Sequence, residues 1–376
     1  MKQLLSRKIS SKKIGAKRVG ADLSFLLGVR FLLGFLSLLL VLTFAACTHT
    51  DASSEQAPST FRIGYQAVPN AELLAKSLKL AEREFPDVRI KWIPFSSGRN
   101  VLLAISRGEI DVGLAGSVPA ATAIAQGLPI KVYFIHDIIG DNEALAVTGA
   151  SKIQSVSDLV DKTIAVPFGS TTHFSLLAAI DQAGVEAARV NIVDRQPAEI
   201  LSAWKRSKID GSFIWQPILG QIVEDSGKTI LTARELAARG AVTADLGIVS
   251  QTFADSYPEF LASYVGVLDQ AVQRYQNDPQ RAAAAIAPNI GLSTAETLSV
   301  MREILWLGAA KQLSEAYMGT AADPGALSQV LQASAEFMAS QNAIPPPPEL
   351  AVFQAGLLSQ VVEQAVQQSQ GIKAES

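Results

Sequence analysis

From Phe61 onward, short apolar runs bounded by polar turns alternate with stretches whose apolar positions recur every three or four residues. The first rhythm predicts strands and the second amphipathic helices. Strands are expected at Phe61–Tyr65, Val88–Phe95, Ile110–Leu114 and Ile130–Ile135, with helices at Ala71–Glu84, Asn100–Arg107 and Pro119–Ala125 between them. A second series starts at Glu143–Thr148 and continues through Thr163–Val166, Val190–Val193, Gly211–Trp215 and Thr229–Leu231, and Leu246–Ser250 returns from it. Such alternation implies right-handed βαβ units on mostly parallel sheets flanked by helices.

After Thr252 the pattern is helical, with long segments at Ala254–Gln276 and Ala326–Gln341. A body of about 300 residues exceeds the size at which single cores stop growing, so an α/β fold of two lobes joined by two crossing strands is expected. Residues 60–142 and 251–344 then form lobe 1 and residues 143–250 lobe 2. The run Pro345–Pro348 opens a C-terminal extension, residues 345–376, with an amphipathic stretch from Leu350 to Gln370. Ligands of open α/β sheets sit at the carboxyl ends of strands, here in the cleft between lobes.

The N-terminus bears on compartment. Eight basic residues and one acid precede or flank an apolar run from Phe31 to Ala46, and Cys47 follows. A basic region, a short apolar core and small residues describe a secretory signal, because a spanning helix needs about 20 apolar residues. Phe44-Ala-Ala-Cys47 resembles the bacterial lipobox, with Phe44 in place of the usual leucine. Residues 1–46 are thus expected to be a lipoprotein signal, Cys47 the lipidated residue, and 47–59 a polar tether to the membrane. Cys47 is the single cysteine, so no internal disulfide is available. Without residues 1–46 the chain holds 24 basic and 34 acidic residues, a net charge near −10. That balance excludes nucleic acid as an expected partner.

The stretch Thr163–Ile180 breaks from strand to helix through Pro167-Phe-Gly-Ser-Thr-Thr-His173. Backbone N–H groups in the first helical turn lack intrahelical partners, and the helix dipole favours negative charge there. Gly169 admits close approach, and Ser170, Thr171 and Thr172 add hydroxyls, which suits a phosphate, sulfate, sulfonate or carboxylate. The alternative is a hydroxyl cap that touches no ligand.

Four segments share the expected cleft: Ser96-Ser-Gly98, Gly116-Ser-Val-Pro119, Pro167–Phe174 and Trp215-Gln-Pro217. Together with Asn142-Glu-Ala-Leu145 and Ile209–Pro217, they resemble the substrate-binding subunit of bacterial taurine and alkanesulfonate ABC importers, over roughly Phe61 to Gln341. The Ser-Thr-Thr-His form is similar to the taurine branch. The resemblance implies the type II periplasmic-binding-protein fold and a lipid-anchored, extracytoplasmic monomer with permease and ATPase partners and no cofactor or metal. The implied ligand is taurine or a related sulfonate. Implied ligand residues are Tyr65, Gln66, Ser97, Ser117, Glu143, Ser170, Thr171, Thr172, His173, Trp215, Gln216 and Asp245.

A sulfonate can be satisfied by amides and hydroxyls, with a second donor corner at Ser117. The amine of taurine needs acceptors, which Asp245 and Glu143 supply, since a buried ammonium is costly unless paired. Trp215, Tyr65 and Phe168 would wall the carbon chain, Trp215 also facing the cation. Each has a plainer alternative: Trp215 in the core, His173 packed between lobes, Asp245 at the surface, Glu143 stabilising the hinge. Arg99 and Val118 depart from the taurine pattern, and an inward Arg99 would favour a doubly charged anion. Other small anions (a sulfonate without an amine, a sulfate ester, nitrate, bicarbonate) remain open. The chain carries no Gly-x-Ser-x-Gly, phosphate-loop or His-Glu-x-x-His motif. An enzyme of the thiamine-pyrimidine-synthase type is the remote alternative on this fold.

Overall fold

The structure, a computed structural model, describes residues 57–375. The signal segment, Cys47 and most of the tether lie outside the described residues. Among the described residues, eleven strands are distributed over two sheets. In chain order they are β1 (Thr60–Gln66), β2 (Arg89–Phe95), β3 (Val112–Gly116), β4 (Ile130–Ile138), β5 (Glu143–Val147), β6 (Thr163–Val166), β7 (Asn191–Asp194), β8 (Gly211–Trp215), β9 (Lys228–Thr232), β10 (Ala244–Ser250) and β11 (Leu305–Trp306).

The first sheet has the order β11-β4-β10-β3-β1-β2 and the second β7-β6-β8-β5-β9. In the first, β1 to β4 run one way, while β10 lies antiparallel between β3 and β4 and β11 antiparallel on the outer edge of β4. In the second, only β5 is reversed. Most strands therefore share a direction within each lobe, yet both sheets are mixed. Strand β3, between two neighbours, is buried along its whole length, as a strand covered on both faces must be.

The return crossing precedes Ala244, not Ser250. Strand β10 belongs to the first sheet because its apolar residues (Leu246, Ile248, Val249) fill the gap between β3 and β4. Two predicted helices are broken. Ala71–Ser77, capped by Asn70 on the Leu73 amide at 2.8 Å, stops where Lys79 turns left-handed. No glycine or proline marks that stop in the sequence. The segment from Gln251 stops at Ser256, and Pro258 opens a new helix to Asn277, where the missing N–H costs nothing.

The residues after Pro348 are part of the first lobe's body. Helices Leu350–Ala355 and Ser359–Glu375 bury Phe353, Val361, Val362 and Ala365 in its core. Between them, Leu357 runs beside Val132, whose amide donates to Gly356 O at 2.9 Å and whose carbonyl accepts from Leu358 N at 2.8 Å. This covers part of the β4 edge that the two-residue β11 leaves open.

The lobes also meet through an apolar seam. Phe174, in the helix Thr171–Gln182 of the second lobe, packs edge-on to Phe337 at 5.2 Å, within a cluster that includes Val118 and Met338. At the crossing, Arg234 donates to Asp141 and to the Glu303 carbonyl, each at 2.7 Å. Gly140 is pressed against that carbonyl, which leaves no room for a Cβ. No helix among the described residues is long and apolar enough to cross a membrane.

Candidate functional site

A cleft enclosing about 540 Å³ of non-protein space, its open mouth included, lies between the lobes. Besides Gln196, the cap of the helix Pro197–Lys205, three helix N-termini reach it. The helix Gly98–Ser106 brings Ser97, Gly98 and Arg99; the helix Ser117–Ala125 brings Gly116 and Pro119; the helix Thr171–Gln182 brings Ser170 and Thr171. Each presents first-turn amides and the positive end of its dipole, so together they form a cradle for an anion without a committed cation.

The opposite character comes from the strands. Glu143 opens β5 and is paired in register with Trp215, the last residue of β8, so acid and indole stand side by side on the cavity wall. Trp215 is half-buried there rather than in the core. Asp245 enters the lining from β10, opposite Gly116 on one side and Asp137 on the other. Thr171 ties the two characters together: its hydroxyl donates to Glu143 Oε1 at 2.7 Å. Glu143 Oε2 and Asp137 Oδ1 have no hydrogen-bond partner among the described residues.

Burial pushes the Glu143 carboxyl up to about 8, against the Thr171 hydrogen bond and with help from Asp245. Burial raises Asp245 to about 7, and burial with the neighbouring Asp245 and Glu143 raises Asp137 well above the carboxylate range. Carboxyls held this way want a cation, and no lysine or arginine is among the charges that shift them.

Of the twelve predicted ligand residues, the structure brings Gln66, Ser97, Glu143, Ser170, Thr171, Trp215 and Asp245 to the cleft lining. Gln66 is held by donation to Leu114 O at 3.1 Å, and the buried Ser97 hydroxyl has no partner among the described residues. The other five are elsewhere. Tyr65 meets the edge of Trp92 and the Lys76 ammonium, 4.6 Å from its ring centre. The Ser117 hydroxyl turns to accept the Ala244 amide at 3.2 Å. Thr172 is fully buried, its hydroxyl 2.8 Å from that of Ser170. His173 stacks on Phe168 at 4.5 Å and accepts the Gly169 amide at its Nδ1, and burial holds it neutral at about 4. Gln216 accepts from Gly220 N and reaches Glu303 at the hinge.

Ser170 lines the cleft, yet its hydroxyl is engaged locally, accepting the His173 amide and donating to Pro167 O at 2.6 Å. It is a helix cap whose backbone faces the cavity. Arg99 is no free cation: its guanidinium pairs with Asp194 of the other lobe at 3.2 Å. Val118 is buried in the seam, where a hydroxyl would have no use. Asn142, from the Asn142–Leu145 motif, joins the lining, as do Gln196, Val68 and Leu114, which the sequence did not mark, and Asp137 stands behind it. An aspartate near the end of a mainly apolar strand, Ile130–Ile138, was the available signal for Asp137.

Two mixed α/β lobes with a polar cleft at the strand ends define the fold as that of the two-lobed periplasmic binding proteins. The chain belongs to the NMT1/THI5-like family, whose model matches residues 87–282, just over half of it. It is 37% identical over 190 residues to the taurine-binding periplasmic protein of Escherichia coli (strain K12), covering 50% of this chain and 58% of that protein. A putative aliphatic sulfonates-binding protein of the same organism is 27% identical over 256 residues, covering 68% and 77%. These relatives are named as binding proteins, not enzymes. Among solved structures, the alkanesulfonate-binding protein SsuA from Xanthomonas axonopodis pv. citri, bound to MOPS, shares the fold with a TM-score of 0.67 at 23% identity, over 80% of this chain and 99% of that one. The first of these alignments spans less than two thirds of the relative's own length.

Proposed function

We propose that this chain is the extracytoplasmic binding subunit of an ABC importer and captures taurine or a closely related short aminosulfonate between its lobes. The observation that carries this reading is the Thr171–Glu143 hydrogen bond. Thr171 is the first residue of the helix whose N-terminus faces the cleft, and Glu143 is the buried acid. The anion-seeking and cation-seeking ends of the cavity are thus one side chain and one hydrogen bond apart. That spacing suits a zwitterion with a short carbon bridge, and Trp215 supplies an apolar wall for the bridge.

The pairing of Arg99 with Asp194 argues against a doubly charged anion, since no unpaired guanidinium is left to face one. The likeness to the taurine-binding protein of E. coli supports the same ligand. Delivery would run to a permease and its ATPase, with the protein acting as a monomer tethered through lipidated Cys47. Gln66, Ser97, Glu143, Ser170, Thr171, Trp215 and Asp245 are the proposed ligand residues.

Calorimetry of the full chain in detergent tests the reading, with taurine, ethanesulfonate, sulfate and nitrate titrated separately. Micromolar binding of taurine, corresponding to about 8 kcal/mol, with ethanesulfonate at least tenfold weaker is expected. Equal affinity for the two sulfonates removes the amine from the reading, and binding of nitrate or sulfate alone removes the sulfonate.

A further inference from the structure

Behind the cavity floor lies a group of acids that the binding reading uses only in part. Asp245 of β10 and Asp137 of β4 are direct cross-strand partners. The register shifts between Asp245 and Leu246, which pairs with Ile135, so His136 is left over as a bulge. Bulges re-aim side chains and are common beside functional sites. Directly opposed residues have Cβ atoms about 5 Å apart, and at that separation away from bulk water two carboxylates cannot both ionise cheaply.

The surroundings offer no relief. From β5 comes Glu143, from the helix Ala71–Ser77 comes Glu72, and from β4 comes His136, whose Nε2 is 3.8 Å from Glu72 Oε2. Burial holds His136 neutral at about 3, so it lends no positive charge. Gly116 of β3 and Trp306 of β11, the other register neighbours, are uncharged. Arg234, the base of the adjoining crossing, is already paired with Asp141. Asp137 is 1% exposed with Oδ1 unpartnered, and both oxygens of Glu72 are unpartnered among the described residues.

We propose that Asp137 and Asp245 form a proton-sharing pair, so that capture of an ammonium ligand expels a proton and Asp137 sets the pH dependence of capture. The proposal rests on the aminosulfonate reading of the cleft. In the empty protein the pair holds a proton between its carboxyls. An ammonium arriving against Asp245 replaces that proton as the counter-charge, and the proton leaves to solvent, so the charge of the site is conserved. Asp137 is then a positioning residue that acts through Asp245, and the ligand competes with protons for the pair.

The test is titration calorimetry of the full chain with taurine between pH 5.5 and 8, in phosphate and in Tris, whose ionisation enthalpies differ. Release of about one proton per taurine near pH 7 is expected, with Kd weakening up to about tenfold per pH unit below that. In Asp137→Asn the single remaining carboxylate ionises at lower pH. Proton release should drop by half or more, and the affinity ratio between pH 8 and pH 6 should shrink, a change that a purely structural role would not produce. Taurine binding without buffer dependence in the wild type overturns the proposal alone, whatever the variant does. Unchanged proton release in a folded Asp137→Asn overturns it too. No binding of taurine at any pH overturns the aminosulfonate reading and this proposal with it.

Discussion

Asp194 of β7 holds two groups at once: Oδ2 accepts from the Arg99 guanidinium across the cleft at 3.2 Å, and Oδ1 accepts the Phe168 amide at 2.9 Å. Arg99 of the first lobe is thereby linked to the loop that starts the anion-facing helix of the second. The pair is about 40% exposed, so its contribution to stability is small.

Its effect should appear in the lifetime of the closed, liganded form. Arg99→Ala is expected to raise the ligand dissociation rate roughly 1.4- to fivefold, the range of an exposed ion pair worth about 0.2–1 kcal/mol, with little change in melting temperature. Stopped-flow measurements at low and high salt check it, because screening should erase the difference. The swapped pair Arg99→Asp with Asp194→Arg should recover part of the loss. An unchanged dissociation rate at low salt would show that the contact has no part in holding the lobes together.

Gly116 ends β3 directly against Thr171 of the other lobe: a Cβ there would lie 2.6 Å from Thr171 Cγ2. A methyl group therefore acts as a wedge between lobes while leaving each core intact. Gly116→Ala should weaken ligand binding at least tenfold, about 1.4 kcal/mol, with melting temperature nearly unchanged. Small-angle scattering should show that ligand no longer compacts the variant. Normal compaction on ligand addition would mean that the lobes can close without this contact.

The order of strands, the two-lobed plan and the meeting of Glu143, Thr171, Trp215 and Asp245 in one cleft were legible from alternation and from the strand-to-helix corner. Direction was less so. Nothing in the periodicity of Leu246–Ser250 shows that it inserts antiparallel between β3 and β4, because a buried strand reads alike in either sense. The misplaced residues share a cause. Tyr65, Ser117 and Thr172 are neighbours in sequence of lining positions, His173 lies two past Thr171, and a strand or helix turns nearby side chains to different faces. Ser117 and Gln216 were further claimed by backbone groups that sequence does not reveal, the Ala244 and Gly220 amides. Asp137 required knowledge of pairing, since its partner Asp245 is over a hundred positions away in the chain.

The two hydroxyl residues at the start of the helix Thr171–Gln182 should part company on mutation. Ser170 caps the helix through the His173 amide, so Ser170→Ala should cost about 1 kcal/mol of stability and affect all sulfonates mildly. Thr171→Val keeps the shape but removes the donor to Glu143. The deprived carboxyl should ionise less readily, so taurine binding should fall severalfold or more at pH 7 while ethanesulfonate changes little. Denaturant melts and parallel titrations separate the two effects. Equal losses for both ligands in Thr171→Val would place the amine away from Glu143.

The buried acids also make the empty protein's stability depend on pH in an uncommon direction. Unfolded, Glu143 would ionise near 4.5 and Asp245 near 3.8; folded, burial holds their protons to about 8 and about 7, and Glu303 at the crossing is raised to about 7 in the same way. Between about pH 4.5 and 8 the folded state binds more protons than the unfolded one, so stability falls as pH rises through that window. Asp158 and Glu296, whose carboxyls are lowered by hydrogen bonds at helix starts, act in the opposite sense, and only where pH falls below their ordinary range. The melting temperature without ligand should therefore be higher at pH 5 than at pH 8. Glu143→Gln, which cannot lose a proton, should flatten the profile. Scanning calorimetry across that range checks it, and a melting temperature that rises from pH 5 to pH 8 would mean that a cation already neutralises the acids in the empty cleft.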